Sequence, residues 1–436
     1  MGRGAEGAPL RPPAPHKRPR PGIRQPAGAR LRSAGRGCTT GGRQQKMRIL
    51  DESGARALTT SVARSGRELE ALEAEWEALY AASPAATPFQ SWAWLYSWWE
   101  VYGERYEPCA ITVRSGGELA GLAPLARERG TGRVLFMGTG PSVYLDVLAR
   151  GGEEAAVVRA VAGRLREELR PWEVADLQHL RPRAAARGLL EAWRGPAASL
   201  WQTNCPVLEA RPFEELLGAL TQKQRGNVRR LVRRSEREGV RAVAAGPEEA
   251  ADAASRMLGM HRKAWRERGI NPEHLSPRFE VLLRAAAGRL TARGLGFVSE
   301  FRRGEEVVAS HLLLVGHDRV GGYLSGATEE AFRRYAVYPL YVRDGVEAAR
   351  SRGLEAFDLM WGRGEHKLQW GPEMVPSRRL VLGRNRLPLW APYAGHHLLR
   401  SRVKAAVDSG SAPRPVMLAA EGYRAARRLI RRRAAG

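Results

Sequence analysis

Asp358, Lys367 and Trp370 fall within one stretch, Phe357-Asp-Leu-Met-Trp-Gly-Arg-Gly-Glu-His-Lys-Leu-Gln-Trp370. The run Leu354 to Met360 reads as a buried strand, and Asp358 interrupts it where a charge is costly unless paired. Gly362 and Gly364 then turn the chain sharply, so Lys367 can return toward the acid. A carboxylate near the C-terminal end of a strand, beside a lysine, can act as a base or hold an acceptor amine; the same pair can instead be a salt bridge that stabilises the turn. Tyr323 and His311 lie on strands expected to face the same cleft, as proton-transfer groups or as satisfied core residues.

A second set of candidates is basic. A helix over Gln222 to Glu238 carries six arginines against two glutamates, with Arg225, Arg229 and Arg233 on one face and Val228, Leu231 and Val232 on another. With Asn227 and Arg230 this surface can grip a phosphate-bearing substrate or RNA, or be a solvated face. His261-Arg-Lys-Ala-Trp265 follows on another helix and offers an imidazole and an indole.

The elements that must position these groups occur twice in the same order. From Ser65, a capping box with Glu68 and the spacing of Leu69, Leu72, Trp76 and Leu79 predict a helix ending near Ser83-Pro84. Trp92, Trp94, Trp98 and Trp99 at helical spacing either build core or stack on a substrate. Cys109 to Val113 and Leu119 to Leu125 predict a hairpin, with strands at Val134 to Met137 and Val143 to Leu148, a helix over Glu153 to Leu169 and a strand over Glu173 to Leu180. Downstream, Gly296 to Phe301 and Val307 to Val315 form a hairpin, followed by a strand at Val320 to Ser325, a helix from Tyr338 to Arg352 and the strand that ends in Asp358. Both hairpin turns read Arg-x-Gly-x-Glu, at Arg114, Gly116 and Glu118 and at Arg302, Gly304 and Glu306. This points to a tandem duplication.

Composition bounds the classes. The chain has 436 residues, 43% apolar content and a net charge of +25, enough for a sizeable core. The charge sits mainly at the ends: residues 1–46 contribute +10 and residues 375–436 contribute +12, leaving about +3 for the body. Residues 1–46, rich in Arg, Pro and Gly, are expected to be disordered, and Met47 is a candidate natural start. The longest uncharged stretch, Ala78 to Trp99, is broken by Pro84 and Pro88, and no apolar leader is apparent, so the cytoplasm is the expected location. Cys38, Cys109 and Cys205 have no short spacing, and the nine histidines are scattered, so neither disulfides nor a metal is indicated.

A hairpin and strand followed by a loop, a helix and another strand is the element order of the GNAT acetyltransferase fold. With the arginine helix, His261 to Trp265 and the Asp358, Lys367, Trp370 block, the chain resembles tandem-GNAT proteins of the CelD-like group. That group carries a BioF-like acetyltransferase domain, is associated with polysaccharide biosynthesis and is related to Fem peptidyltransferases. The resemblance covers about residues 60–385. In relatives the closing motif reads Gly-x-Glu-x-Tyr-Lys; here Gly364 takes the glutamate position, Glu365 comes one place later and His366 replaces the tyrosine. The usual phosphate loop is also missing its glycines, since Arg333-Arg334-Tyr335-Ala336 stands there.

The resemblance implies an α/β (α+β) protein of two tandem GNAT-like domains, at 47–210 and 211–386, each a mixed twisted sheet flanked by helices. A disordered extension (1–46) and a basic helical appendage (387–436) flank them. It implies an acyltransferase moving an acetyl or other acyl group from acyl-CoA to an amine or hydroxyl on a sugar nucleotide, polysaccharide or cell-envelope precursor. Asp358, Lys367 and Tyr323 would be catalytic. Arg333, Arg334, Tyr335, Ala336, Val337 and Tyr338 would hold the donor at a helix N-terminus. Arg225, Asn227, Arg229, Arg230, His261, Trp265 and Trp370 would meet the substrate. A Fem-like transferase using aminoacyl-tRNA, or a non-catalytic scaffold whose basic ends bind nucleic acid or membrane, are the alternatives; the C-terminal Arg-rich run allows peripheral contact with anionic lipid.

Overall fold

The computed structural model describes residues 48–49, 57–265, 271–335, 337–385, 390–409, 411–413 and 415. The expectations for residues 1–46 and for the C-terminal Arg-rich run lie outside them. The first half begins with β1 (Arg48–Ile49), β2 (Leu58–Ala63), α1 (Gly66–Ala71), α2 (Glu73–Ala81) and α3 (Trp92–Tyr102). Ser65 Oγ accepts from Glu68 N at 3.2 Å while the Glu68 carboxylate accepts from Ser65 N at 3.1 Å, so the expected capping box forms. Trp92, Trp94 and Trp98 are buried, which makes the tryptophan run core. There follow β3 (Tyr106–Pro108), β4 (Ala110–Ser115), β5 (Glu118–Ala123), β6 (Leu125–Glu128), β7 (Arg133–Phe136), β8 (Leu148–Ala149), α4 (Glu154–Glu168), β9 (Val174–Leu180), α5 (Leu189–Ala192) and β10 (Ala197–Glu209). The strand expected over Val143 to Leu148 is therefore only the two residues of β8.

The second half comprises α6 (Phe213–Leu216), α7 (Gln222–Arg237), β11 (Val240–Ala244), α8 (Ala250–Trp265), α9 (Pro277–Ala292), β12 (Gly296–Arg303), β13 (Glu306–Val315) and β14 (Arg319–Ala327). It ends with α10 (Glu329–Arg334), α11 (Val337–Arg350), β15 (Ala356–Asp358), α12 (Glu365–Leu368), β16 (Glu373–Gly383) and α13 (Trp390–Ser409). In the helical appendage expected over 387–436, Trp390–Ser409 form one helix, α13, whose first turn holds Pro392, where a missing N–H costs nothing.

The two hairpins share their irregularities. Register shifts between Val113 and Arg114 in one and between Phe301 and Arg302 in the other. Gly116 and Gly304 open the turns at φ 60° and 59°, a left-handed backbone that explains the glycine of the shared motif. Then β7 runs parallel to β9 from Arg133↔Val174 to Leu135↔Asp176, as β14 does to β15 from Arg319↔Ala356 to Gly321↔Asp358. The same α/β unit occurs twice.

The halves exchange their last strands. β10 pairs with β15 of the second half, β16 pairs with β9 of the first, and β10 and β16 pair with each other. An eleven-stranded sheet, β11-β12-β13-β14-β15-β10-β16-β9-β7-β6-β3, results beside a five-stranded one, β1-β2-β4-β5-β8. The boundary expected between residues 210 and 211 thus comes directly after the ladder in which Val207 to Glu209 pair with Asp358 to Ala356.

Alternation along β13 sets the layers. Leu312 and Leu314 join the core containing Met257 and Leu258 of α8 and Leu282 of α9; Leu313 joins the core containing Leu340 and Val346 of α11. Helix α8 touches β14 at Gly326, where a Cβ would lie 2.4 Å from Met257 O and 2.6 Å from His261 N. Gly326→Ala should therefore destabilise the fold by about 1–3 kcal/mol. A lowered urea midpoint at unchanged slope would bear this out, and an unchanged midpoint would contradict the close approach.

Candidate active site

After Gly321↔Asp358 the parallel strands part. β14 continues to Ala327, whereas the chain leaves β15 into a turn over Leu359–Gly364. A cleft of about 650 Å³ opens there, with Gly322, Tyr323 and Ser325 on one wall and Leu359, Trp361 and Gly362 on the other. His261 and Trp265 enter from the α8 face of the sheet, and Tyr338 and Tyr341 from the α11 face, so the cleft reaches both faces. In the first half the equivalent opening is filled by its own chain. Leu145 N donates to His179 O at 3.3 Å, Trp94 Nε1 to Ser142 Oγ at 2.8 Å and Gln90 Nε2 to Tyr144 O at 2.9 Å.

Asp358 does not face the cleft. Phe357 and Leu359 line it, and strand alternation turns the intervening carboxylate to the other side. There, fully buried, it accepts from Tyr144 Oη at 2.7 Å and Met360 N at 2.8 Å, with Arg319 Nη1 at 3.5 Å. Burial pushes its pKa up, and the Tyr144 hydroxyl and Arg319 oppose that shift. The bond to Met360 N holds a methionine at φ 57°, uncommon for a residue with a side chain.

The expected pairing of Lys367 with Asp358 is replaced by another arrangement. Lys367 Nζ donates to the carbonyls of Leu359 and Trp361, both at 2.6 Å, gathering the turn around its ammonium. Asp358 and Lys367 thus fix one turn from opposite sides, and only Lys367 lines the cleft. Burial lowers the Lys367 pKa to about 8, against the raising influence of Asp358.

The other expected residues separate into three groups. Tyr323, His261, Trp265 and Tyr338 line the cleft. Tyr323 Oη donates to Pro141 O at 2.9 Å, and Tyr338 packs edge-on against His366 at 4.5 Å. Trp370 is buried against Phe213, and Val337 is core. The arginine helix lines no part of the cleft: Arg225 donates to Leu217 O and Leu220 O, Arg229 pairs with Glu214, and Arg230 donates to Asn227 Oδ1. Around the expected donor loop, residues 329–334 form α10. Arg333 pairs with Glu329, and Arg334 and Tyr335 both meet Glu238. The guanidinium groups expected to receive a pyrophosphate are therefore already paired; Ala336 lies outside the described residues.

Sequence reasoning missed His274, Trp361 and His366, which line the cleft, and the partner of His311, whose Nε2 lies 2.7 Å from Asp344 Oδ2. His366 and Trp361 sat inside the motif already singled out; nothing local marked His274. Another cavity, of about 730 Å³, is lined by Arg181, Arg211, Arg319 and Trp370. Its arginines are engaged by carboxylates, Arg181, Arg183 and Arg319 by Asp318 and Arg211 by Glu209. Among the described residues no group of three or more His, Cys, Asp or Glu is placed to hold a metal ion, and no helix is long and apolar enough to cross a membrane.

Residues 222–368, which contain both walls of the cleft, match the family described as acetyltransferase (GNAT) domain. That segment is thus similar to a GNAT domain. Among solved structures it is similar to FemX, at 11% identity and a TM-score of 0.52, over 74% of this chain and 98% of that one. It is also similar to L-PGS from Bacillus licheniformis (12% identity, TM-score 0.47, 76% and 95% covered). A tandem GNAT protein from the clavulanic acid biosynthesis pathway matches at 12% identity and TM-score 0.40, with 74% and 97% covered. No curated protein matches the chain. At such identities the FemX likeness is one of fold.

Two outcomes test this geometry. Asp358→Ala, which strands Tyr144, Met360 N and Arg319, should lower the unfolding free energy by about 3–5 kcal/mol in chemical denaturation; a near-neutral effect would refute its anchoring role. In protein labelled with ¹³C-lysine, the Lys367 Cε resonance should titrate near the lowered value of about 8. A midpoint close to that of surface lysines would show that the ammonium is not buried.

Proposed function

We propose that the protein is an acyltransferase in which an acyl-CoA lies in the cleft between β14 and β15 and its acyl group passes to an amine or hydroxyl. The parting of the two strands carries this reading. Beyond Gly321, no strand among the described residues lies on the β15 side of β14, so an extended amide-bearing chain can add there as a strand would. One donor then stands ready for a carbonyl oxygen that gains charge: the Lys367 ammonium, which lines the cleft and spends two of its three N–H groups on the turn. The N-terminus of α11 opens toward the same cleft and favours negative charge.

Access from both faces of the sheet suits a two-substrate transfer, the donor entering beside α11 and the acceptor beside α8. Trp265 and Tyr338 give aromatic surfaces against which a sugar ring can rest, in keeping with an acceptor among sugar nucleotides or cell-envelope precursors. A second reading, aminoacyl-tRNA as donor, draws support from the engagement of Arg333 and Arg334 by glutamates, which leaves little free positive charge for a pyrophosphate.

Calorimetric titration of the full chain with acetyl-CoA tests the first reading. Saturable one-site binding is expected, and Ser325→Trp, which fills the cleft, should weaken it at least tenfold while the far-ultraviolet circular dichroism stays unchanged. Absence of binding, or binding indifferent to Ser325→Trp, would defeat acyl-CoA as the ligand of this cleft.

A further inference from the structure

On the α8 side of the cleft two histidines form a chain with only one consistent arrangement of protons. His261 Nδ1 lies 2.8 Å from Ser325 O, and His261 Nε2 lies 3.0 Å from His274 Nδ1. A carbonyl only accepts, so His261 carries its proton on Nδ1. Neutral His261 must then accept at Nε2, and His274 must donate from Nδ1. That leaves an unprotonated Nε2 on His274, a residue lining the cleft. Stacking on Phe279 at 4.7 Å and the bond from Arg262 Nε to His274 O at 2.8 Å fix the ring and its backbone. His261 is set in turn by the contact of α8 with Gly326.

Building on the proposed acyl transfer, we infer that His274 is the general base of the reaction and that His261 is its positioning residue. As the acceptor nitrogen bonds to the acyl carbon, its proton passes to His274 Nε2, the carbon–sulfur bond breaks, and the departing thiolate takes a proton from solvent or from His274. His261, hydrogen-bonded to the opposite nitrogen, accepts part of the positive charge that develops on His274, and the Ser325 carbonyl receives the far end of the chain. Burial, with His261 and Arg262 adding to it, lowers the His274 pKa to about 4, so the ring is neutral over ordinary pH. Glu273, next in sequence, is engaged by Tyr102 Oη at 2.5 Å and does not compete for the ring.

The test has two arms, so that failure of the base and failure of the acyl-transfer reading are told apart. In the first, ¹⁵N-histidine spectra of the unmodified full chain should show His274 as the neutral Nδ1–H tautomer. His261→Phe, which removes the acceptor, should mix the tautomers. A His274 signal with the proton on Nε2, or one unmoved by His261→Phe, overturns the inference whatever the protein's activity. In the second, acetyl transfer from acetyl-CoA is followed to ethylamine and to hydroxylamine, each of which must lose a proton as its nitrogen bonds to the acyl carbon. His274→Gln should lower transfer to both about a hundredfold, in kcat more than in KM. Equal transfer to ethylamine by variant and parent overturns the base with acyl transfer intact. No transfer by the parent to either amine defeats acyl transfer from this donor and, with it, the role of His274 as its base.

Discussion

A fully buried carboxylate sets the geometry on which the cleft depends. Asp358 ends its strand at the point where β14 and β15 part, and its oxygens tie together a hydroxyl from the first half, a backbone N–H of the following turn and an arginine from the neighbouring strand. A charge in that position is costly unless it is hydrogen-bonded, and the bonds that satisfy it also dictate shape. Met360 is held left-handed, the turn reverses, and the carbonyls of Leu359 and Trp361 meet Lys367. The wall of the cleft is thus made rigid from outside the cleft.

The duplication explains why only one such cleft exists among the described residues. Both halves part their parallel strands after three paired residues, yet in the first half Leu145, Ser142 and the aromatic residues around Trp94 occupy the gap. The same filling segment sends Tyr144 across to Asp358. One copy has become a plug and brace for the other, and the exchange of β10 and β16 fastens the two copies through a shared sheet. This division gives a physical reason for a tandem arrangement: stiffness around an open cleft is supplied by a second fold that no longer needs one.

Much of this was legible in the sequence where local chemistry is decisive. The Ser65 capping box, the two Arg-x-Gly-x-Glu turns and the repeated element order follow from short-range rules. Roles that depend on which face of a strand a residue occupies were not. Asp358 was read as a cleft residue because an acid at a strand end is conspicuous, but a shift of one position in a strand reverses its face, and nothing nearby fixes that register. Arg229 of α7 and Arg334 of α10 looked available because their carboxylate partners, Glu214 and Glu238, lie elsewhere along the chain. His274 was invisible for the converse reason, since its significance comes from His261 on α8 and Ser325 on β14. The strand exchange was unreadable too, because β10 and β16 carry no local mark of which neighbour they will join.

In the proposed transfer the parted strands receive the donor. Hydrogen–deuterium exchange of the full chain with and without acetyl-CoA tests it most directly. Slowed exchange confined to Gly322–Ala327 and to the turn at Leu359–Gly364, with the plugged opening of the first half unchanged, is the predicted result. Unchanged exchange at both walls under saturating acetyl-CoA, or protection centred on residues 138–147 instead, would contradict it.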